Sequence, residues 1–292
     1  MQWDHEVDLV SVGSGAGGLA TAIVAVDGGA TVFVAQSRRL SFYRLGVEVS
    51  DHETNTYLDA VTEVARTARA NVRGVDLPVR LVDVAVPGGL SCNRRGVVEP
   101  FVGAHLRNWA ADCLAAPHTV LYSRVTDRHM APVRSISGEN IEAAVVGSVD
   151  PDRDEWVIDD WLSAQAQMRG IDVHEDSSLE RLVFVDGRVV GAVVMTPDGP
   201  CAVAARRGVV VASGRHRVGG AAADRISVET PLHVCVVSQT ASRFGRVELL
   251  ARPRAGSRLV PTQQNRQPRP RKLSSRVRCH GIAPGQVHDG GP

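Results

Sequence analysis

Three glycines in the stretch VSVGSGAGGLATAIVAVDGGATVFVAQSRR, residues 10 to 39, constrain the fold of this chain more than any other feature. Gly13, Gly15 and Gly18 form G-x-G-x-x-G. Before them Val7, Leu9, Val10 and Val12 make a short apolar strand. After them Leu19 to Val26 is rich in alanine and aliphatic residues, as a buried helix requires, and Gly28-Gly29 ends it. The next run, ATVFVA (30 to 35), is continuously apolar, the mark of a parallel strand covered on both faces. A strand, a glycine turn, a helix and a second strand make one βαβ unit. In such a unit the first glycine permits the tight turn, the second lets a pyrophosphate approach the backbone, and the third lets helix and strand pack closely.

That geometry implies an adenine dinucleotide. The amides of Ala16, Gly17 and Gly18, with Ser14 and Gly15 ahead of them, would face the phosphates at the positive end of the helix dipole. At the end of the second strand, where an acidic side chain ordinarily accepts the ribose hydroxyls, stands Gln36. Its carbonyl can still accept a hydrogen bond, but without charge assistance the bond falls from roughly 1.5–3 to about 0.5–1.5 kcal/mol. Ser37, Arg38 and Arg39 follow, and arginines here are also what a 2′-phosphate would need. On these thirty residues the flavin and NADP readings both stand.

Further along, NTYLDAVTEVARTAR (55 to 69) and HLRNWAADCLAA (105 to 116) space apolar residues at helical intervals, and PVRLVDVAVPGGLS (78 to 91) reads as strands and a turn. WVIDDWLSAQAQMRG (156 to 170) is an amphipathic helix preceded by the acidic loop DPDRDE (150 to 155), which is placed to cap it. IDVHED (171 to 176) is a strand. From 179 to 214 apolar runs alternate with turns at Asp186-Gly187 and Pro197-Asp198-Gly199, a β-meander whose last strand, GVVVASG, returns to the main sheet.

Charge divides the chain near residue 214. Residues 1 to 214 hold 19 basic and 28 acidic side chains, whereas 215 to 292 hold 14 and 4, so the whole is only +1. The stretch beyond 214, rich in Arg, Pro, Gln and Ser, reads as a disordered basic tail. It carries no aromatic residue after Phe244 on which bases could stack, which argues against nucleic-acid binding. No apolar run approaches the roughly 20 residues of a membrane helix, and the acidic N-terminus lacks the basic region of a secretory signal. A cytoplasmic protein without a membrane span is the expectation. The five cysteines are widely spaced with no C-x-x-C, against a disulfide framework or a zinc site.

Three stretches resemble a known family: EVDLVSVGSGAGGLATAIVA, GIDVHEDSSLERLVFVDGRVVGAVV and ARRGVVVASG. Their order and spacing are similar to the FAD-binding domain of the fumarate reductase and succinate dehydrogenase flavoproteins, particularly the 3-ketosteroid dehydrogenase-like branch. The likeness spans about residues 4 to 214. It implies FAD as cofactor, adenine pairing with the backbone at Leu179, and a terminal strand at Ala212, Ser213 and Gly214, with Arg215 where the family has a second glycine. It implies hydride transfer between a substrate C–H and flavin N5, with a small-molecule substrate of the steroid or dicarboxylate class. The family's Gly- and Ser-rich loop is replaced by SRRLSFYRLGVEVS (37 to 50), and its substrate-capping continuation has no counterpart after Arg215, as in a truncated relative. A non-catalytic remnant and an NADP-binding protein are the alternatives. Tyr57, Tyr122, His105, His118 and His129 could serve acid–base chemistry, but no spacing links any of them to a partner.

The resulting expectation is an α/β fold: a Rossmann-like FAD-binding domain with a β-meander built from 1–40 and 156–214, an inserted mixed α/β lid region at 41–155, and a disordered tail at 215–292. Expected cofactor contacts are Gly13, Ser14, Gly15, Ala16, Gly17, Gly18, Gln36, Ser37, Leu179, Ala212, Ser213 and Gly214. No catalytic residue and no metal site are assigned.

Overall fold

A computed structural model describes residues 2–13, 16–36, 49–66, 77–82, 103–116, 118–125, 128–150, 157–212 and 231–254. The first strand, β1 (His5–Gly13), leads through the glycine turn into α1 (Ala16–Asp27) and then β2 (Val32–Gln36). Ten consecutive residues of α1, Ala16 to Ala25, are buried. A helix buried all round needs no polar face, and alanine lets it sit close to the sheet. At its start, the Ser11 hydroxyl donates to the Gly18 carbonyl at 3.1 Å.

After β2 come α2 (His52–Arg66), β3 (Val79–Leu81), α3 (Gly103–Ala115), β4 (Thr119–Tyr122), β5 (Ala131–Arg134) and β6 (Asn140–Val149). Then follow α4 (Ile158–Met168), β7 (Val173–Glu175), β8 (Ser178–Val185), β9 (Arg188–Thr196), β10 (Gly199–Ala212), β11 (Leu232–Ser238) and β12 (Phe244–Ala251). The strands form one sheet in the order β5-β6-β11-β12-β4-β10-β1-β2-β7, with β8 and β9 branching from β10 and β3 from β12. The run β10-β1-β2-β7 is parallel throughout. An apolar layer containing α1 and α4 covers one face, and another containing residues of α2, α3, β8 and β9 covers the other.

The β-meander forms as its turn residues require. Asp186 and Gly187 both have positive φ, 50° and 70°, the conformation of a tight hairpin turn whose twist matches its strands. The third strand, β10, is long enough to pair antiparallel with β9 and then parallel with β1. Gly208, with φ 128°, falls where the register to β1 shifts between Val7 and Leu9.

Three expectations need correction. The 41–155 segment is no separate lid, because β4 pairs with β10 on one side and β12 on the other, and β6 pairs with β11. Nor is 215–292 a disordered tail throughout. Within it β11 and β12 lie inside the sheet, with Leu232, Val234, Val236, Val247 and Leu249 completely buried. Averaging over an arginine- and proline-rich region concealed two short apolar runs, LHVCVVS and FGRVELLA, which are the length of ordinary strands. Finally, the residue capping α4 is Val157, extended and without a side-chain cap bond, so Asp150 does not fill that role, and 151–155 lie outside the described residues. The helix carries Asp159 and Asp160 in its own first turn instead.

Candidate functional site

The carboxyl ends of the four parallel strands lie along one edge. Gly13 is the register partner of Ala212, Val12 that of Ala35, and Gln36 that of Glu175. The start of α1 stands directly behind this edge, in the crevice where an open α/β sheet binds its ligand.

The glycines are held there by contacts that a side chain would destroy. Gly13 has φ 134°, and a Cβ on it would overlap the Ala212 carbonyl. A Cβ on Gly18 would come 2.8 Å from Ser11 Oγ and 3.2 Å from Ala212 Cβ, the tight helix–strand packing that the third glycine of such a turn provides. Gly17 meets the opposite neighbour: its Cβ would lie 2.8 Å from the His118 carbonyl oxygen and 2.8 Å from Val120 Cγ2. Glycines are therefore required here by close packing alone, and the α1 amides that follow begin at the carboxyl edge of the sheet. Ser14, Gly15, Ser37, Ser213 and Gly214 lie outside the described residues, as do Arg38 and Arg39.

Gln36 is half-buried at the end of β2, and its carbonyl accepts from Ser177 N at 3.4 Å. Glu175, exposed at the end of β7, was not anticipated from sequence. Only the β2–β7 register sets a carboxylate beside Gln36. Leu179 begins β8 just beyond this corner, buried to 4% exposure and paired with Val194.

The acid–base candidates are not gathered together. His105 is exposed on α3. Tyr57 on α2 packs edge-on against Phe184 and accepts from Arg243 at 3.2 Å, and burial raises its pKa. Tyr122 and His129 line a cavity with Arg124, Arg128 and Arg207 beside Leu9 in the middle of β1, residues 207–210 of β10 and residues 21–25 of α1. The cations of that cavity are braced structurally: Arg128 by Glu142, Ser238 and Ser242, Arg124 by the Arg206 and Val189 carbonyls, and Arg207 by His129. Only His118 stands at the carboxyl edge. It is 1% exposed, neither ring nitrogen has a hydrogen-bond partner, and burial pulls its pKa down to about 4.

A second buried polar assembly lies under α3. Glu248, wholly buried, receives Arg80 in a two-pronged pair at 2.6 and 3.0 Å and Arg246 Nε at 2.7 Å. Arg80 also reaches Glu139, and Arg246 lies 4.8 Å over the Trp109 ring. Both cations hold the Glu248 carboxyl down to about 2 against the opposing cost of burial. Every carboxylate oxygen is spoken for, so this is bracing for the sheet.

A parallel run of strands with the start of α1 behind its carboxyl edge, and a meander branching from β10, defines a Rossmann-like α/β fold. Residues 154–242 match the family model described as FAD binding domain. That match covers less than a third of the chain. No curated protein sequence matches it. Among solved structures it is similar to the open conformation of a flavocytochrome c3 fumarate reductase, at 14% identity over 70% of this chain and 33% of that one, TM-score 0.29. It is also similar to 3-ketosteroid-Δ4-(5α)-dehydrogenase from Rhodococcus jostii RHA1, at 19% identity over 72% of this chain and 46% of that one, TM-score 0.30. The chain thus spans between a third and a half of the length of these proteins. Among the described residues no helix is long and apolar enough to cross a membrane.

Proposed function

We propose that this chain binds FAD along the carboxyl edge of β10-β1-β2-β7 and serves an oxidoreductase that moves hydride between a small-molecule substrate and the flavin. The observation that carries this is the pairing of Gly13 with Ala212. The glycine turn lies in residues 13–18 and the family match in 154–242, yet the fold brings both to one point at the edge. A flavin, when bound, supplies an acceptor for a hydride at N5.

The roles of the chain's own groups follow from position. The first-turn amides of α1, from Ala16 on, hold the pyrophosphate. Gln36 and Glu175 accept the adenosine ribose hydroxyls, and the backbone near Leu179 borders the adenine. Ala212, at the end of β10, lies under the other half of the dinucleotide. The resemblance to fumarate reductase and ketosteroid dehydrogenase flavoproteins points to a dicarboxylate or steroid substrate.

Glu175 favours FAD over NADP. Glu175 is the register partner of Gln36, where a 2′-phosphate would have to sit, and like charges there repel. Glu175→Gln separates the two readings. With FAD as ligand it exchanges a charge-assisted bond for a neutral one and weakens binding about tenfold, roughly 1.4 kcal/mol. With NADP as ligand it strengthens binding. Calorimetric titration of both nucleotides measures this, and tighter NADP with unchanged FAD would refute the reading.

A further inference from the structure

We propose that His118 is the side chain with which this protein holds the pyrophosphate from its flavin side, by donating a ring N–H to a phosphoryl oxygen. The assignment rests on the FAD reading above.

Position comes first. Val120 pairs with Ala212, and β4 runs antiparallel to β10, so His118 lies just past the point where β10 ends. In the strand order β4-β10-β1-β2-β7, that point is on the side of β1 opposite Gln36. A dinucleotide with its adenosine ribose at the end of β2 extends its second half over β10 and β4. The His118 carbonyl packs against Gly17 in the first turn of α1 and accepts from Val247 N at 3.3 Å. His118 is therefore fixed beside the helix start where phosphates bind.

Chemistry comes next. The ring is buried with both nitrogens unpaired. An unsatisfied buried polar atom is costly, and a leucine or phenylalanine would fill the same space without that penalty. The backbone is also unusual, at φ 55° in the left-handed region. Strain of this kind persists where the surrounding structure holds a residue for a purpose. Burial keeps the imidazole neutral, so it has one N–H to donate and one nitrogen to accept. A pyrophosphate offers only acceptors, and the N–H is what it can use.

The test measures FAD affinity by quenching of flavin fluorescence on apoprotein of full length, together with the apoprotein's melting temperature. The variants are His118→Leu and His118→Asn, the second retaining a donor. His118→Leu is expected to weaken FAD at least tenfold; it loses no hydrogen bond but puts leucine at φ 55°, so its melting temperature is read against that of His118→Asn, whose side chain suits that backbone. His118→Asn is expected to recover part of the affinity. Ring-nitrogen NMR shifts of His118 should move when FAD is added to the wild type. FAD binding by the wild type with an unaltered His118→Leu affinity would overturn the His118 assignment and leave the FAD reading intact. A fall in melting temperature and affinity together in His118→Asn as well as His118→Leu would make His118 structural and overturn it too. A wild type that takes up no FAD would overturn both.

Discussion

Replacing Glu248 with glutamine should be among the most destabilising conservative substitutions in this protein. The carboxylate is completely buried and answers two guanidiniums, Arg80 and Arg246. Arg80 retains Glu139 when the charge is removed, but Arg246 loses the carboxylate that pairs it, at 4% exposure and with Nη1 already unpartnered. Breaking a buried pair from one side costs about 3–5 kcal/mol. The titration route gives a similar size: a shift from 4.5 to about 2 corresponds to roughly 3 kcal/mol. At about 2–4 °C per kcal/mol for a unit of this size, the melting temperature should fall by roughly 6–20 °C. The sign with pH is fixed. A carboxyl whose folded pKa is depressed stabilises above its unfolded value, so this contribution is full above pH 4.5 and disappears as pH falls toward about 2. Glu248→Gln should remove that acid dependence along with the stability. Glu139→Gln is the control, because that side chain is 23% exposed and solvent screens its pair, leaving a cost below about 1 kcal/mol. Chemical denaturation followed by circular dichroism at pH 7 and pH 3 measures both. A Glu248→Gln protein within about 1 kcal/mol of wild type at pH 7 would refute the reasoning.

Gly13→Ala should abolish nucleotide binding and lower the melting temperature, since its Cβ meets the Ala212 backbone at a φ of 134°; binding at wild-type affinity would refute the tight turn. Burial raises the pKa of Cys113 and Cys235 far more than that of half-buried Cys201, so under native conditions a thiol reagent at pH 8 should modify Cys201 well before either of them. Mass mapping of the modified residues checks this, and early labelling of Cys235 would contradict the placement of β11.

The elements with a strong period or a defining turn were legible in the sequence. The glycine motif identified β1, α1 and β2, and the Asp186-Gly187 signal identified the β8–β9 hairpin, because each depends on residues that are neighbours in the chain. The central strand β12 was hidden for the opposite reason. Its Arg246 and Glu248 look like surface charges until Arg80, 168 positions from Glu248, closes the network around them. Glu175 likewise gains its meaning only when β7 comes into register with β2. His118 has no motif at all, and what marks it is an unpaired ring enclosed next to Gly17, which is a property of packing.

The central claim is that the carboxyl edge of β10-β1-β2-β7 holds FAD. Purified protein should show the visible absorption of an oxidised flavin as isolated or after incubation with FAD, and denaturation should release intact FAD. A colourless protein that takes up no added FAD would contradict the account.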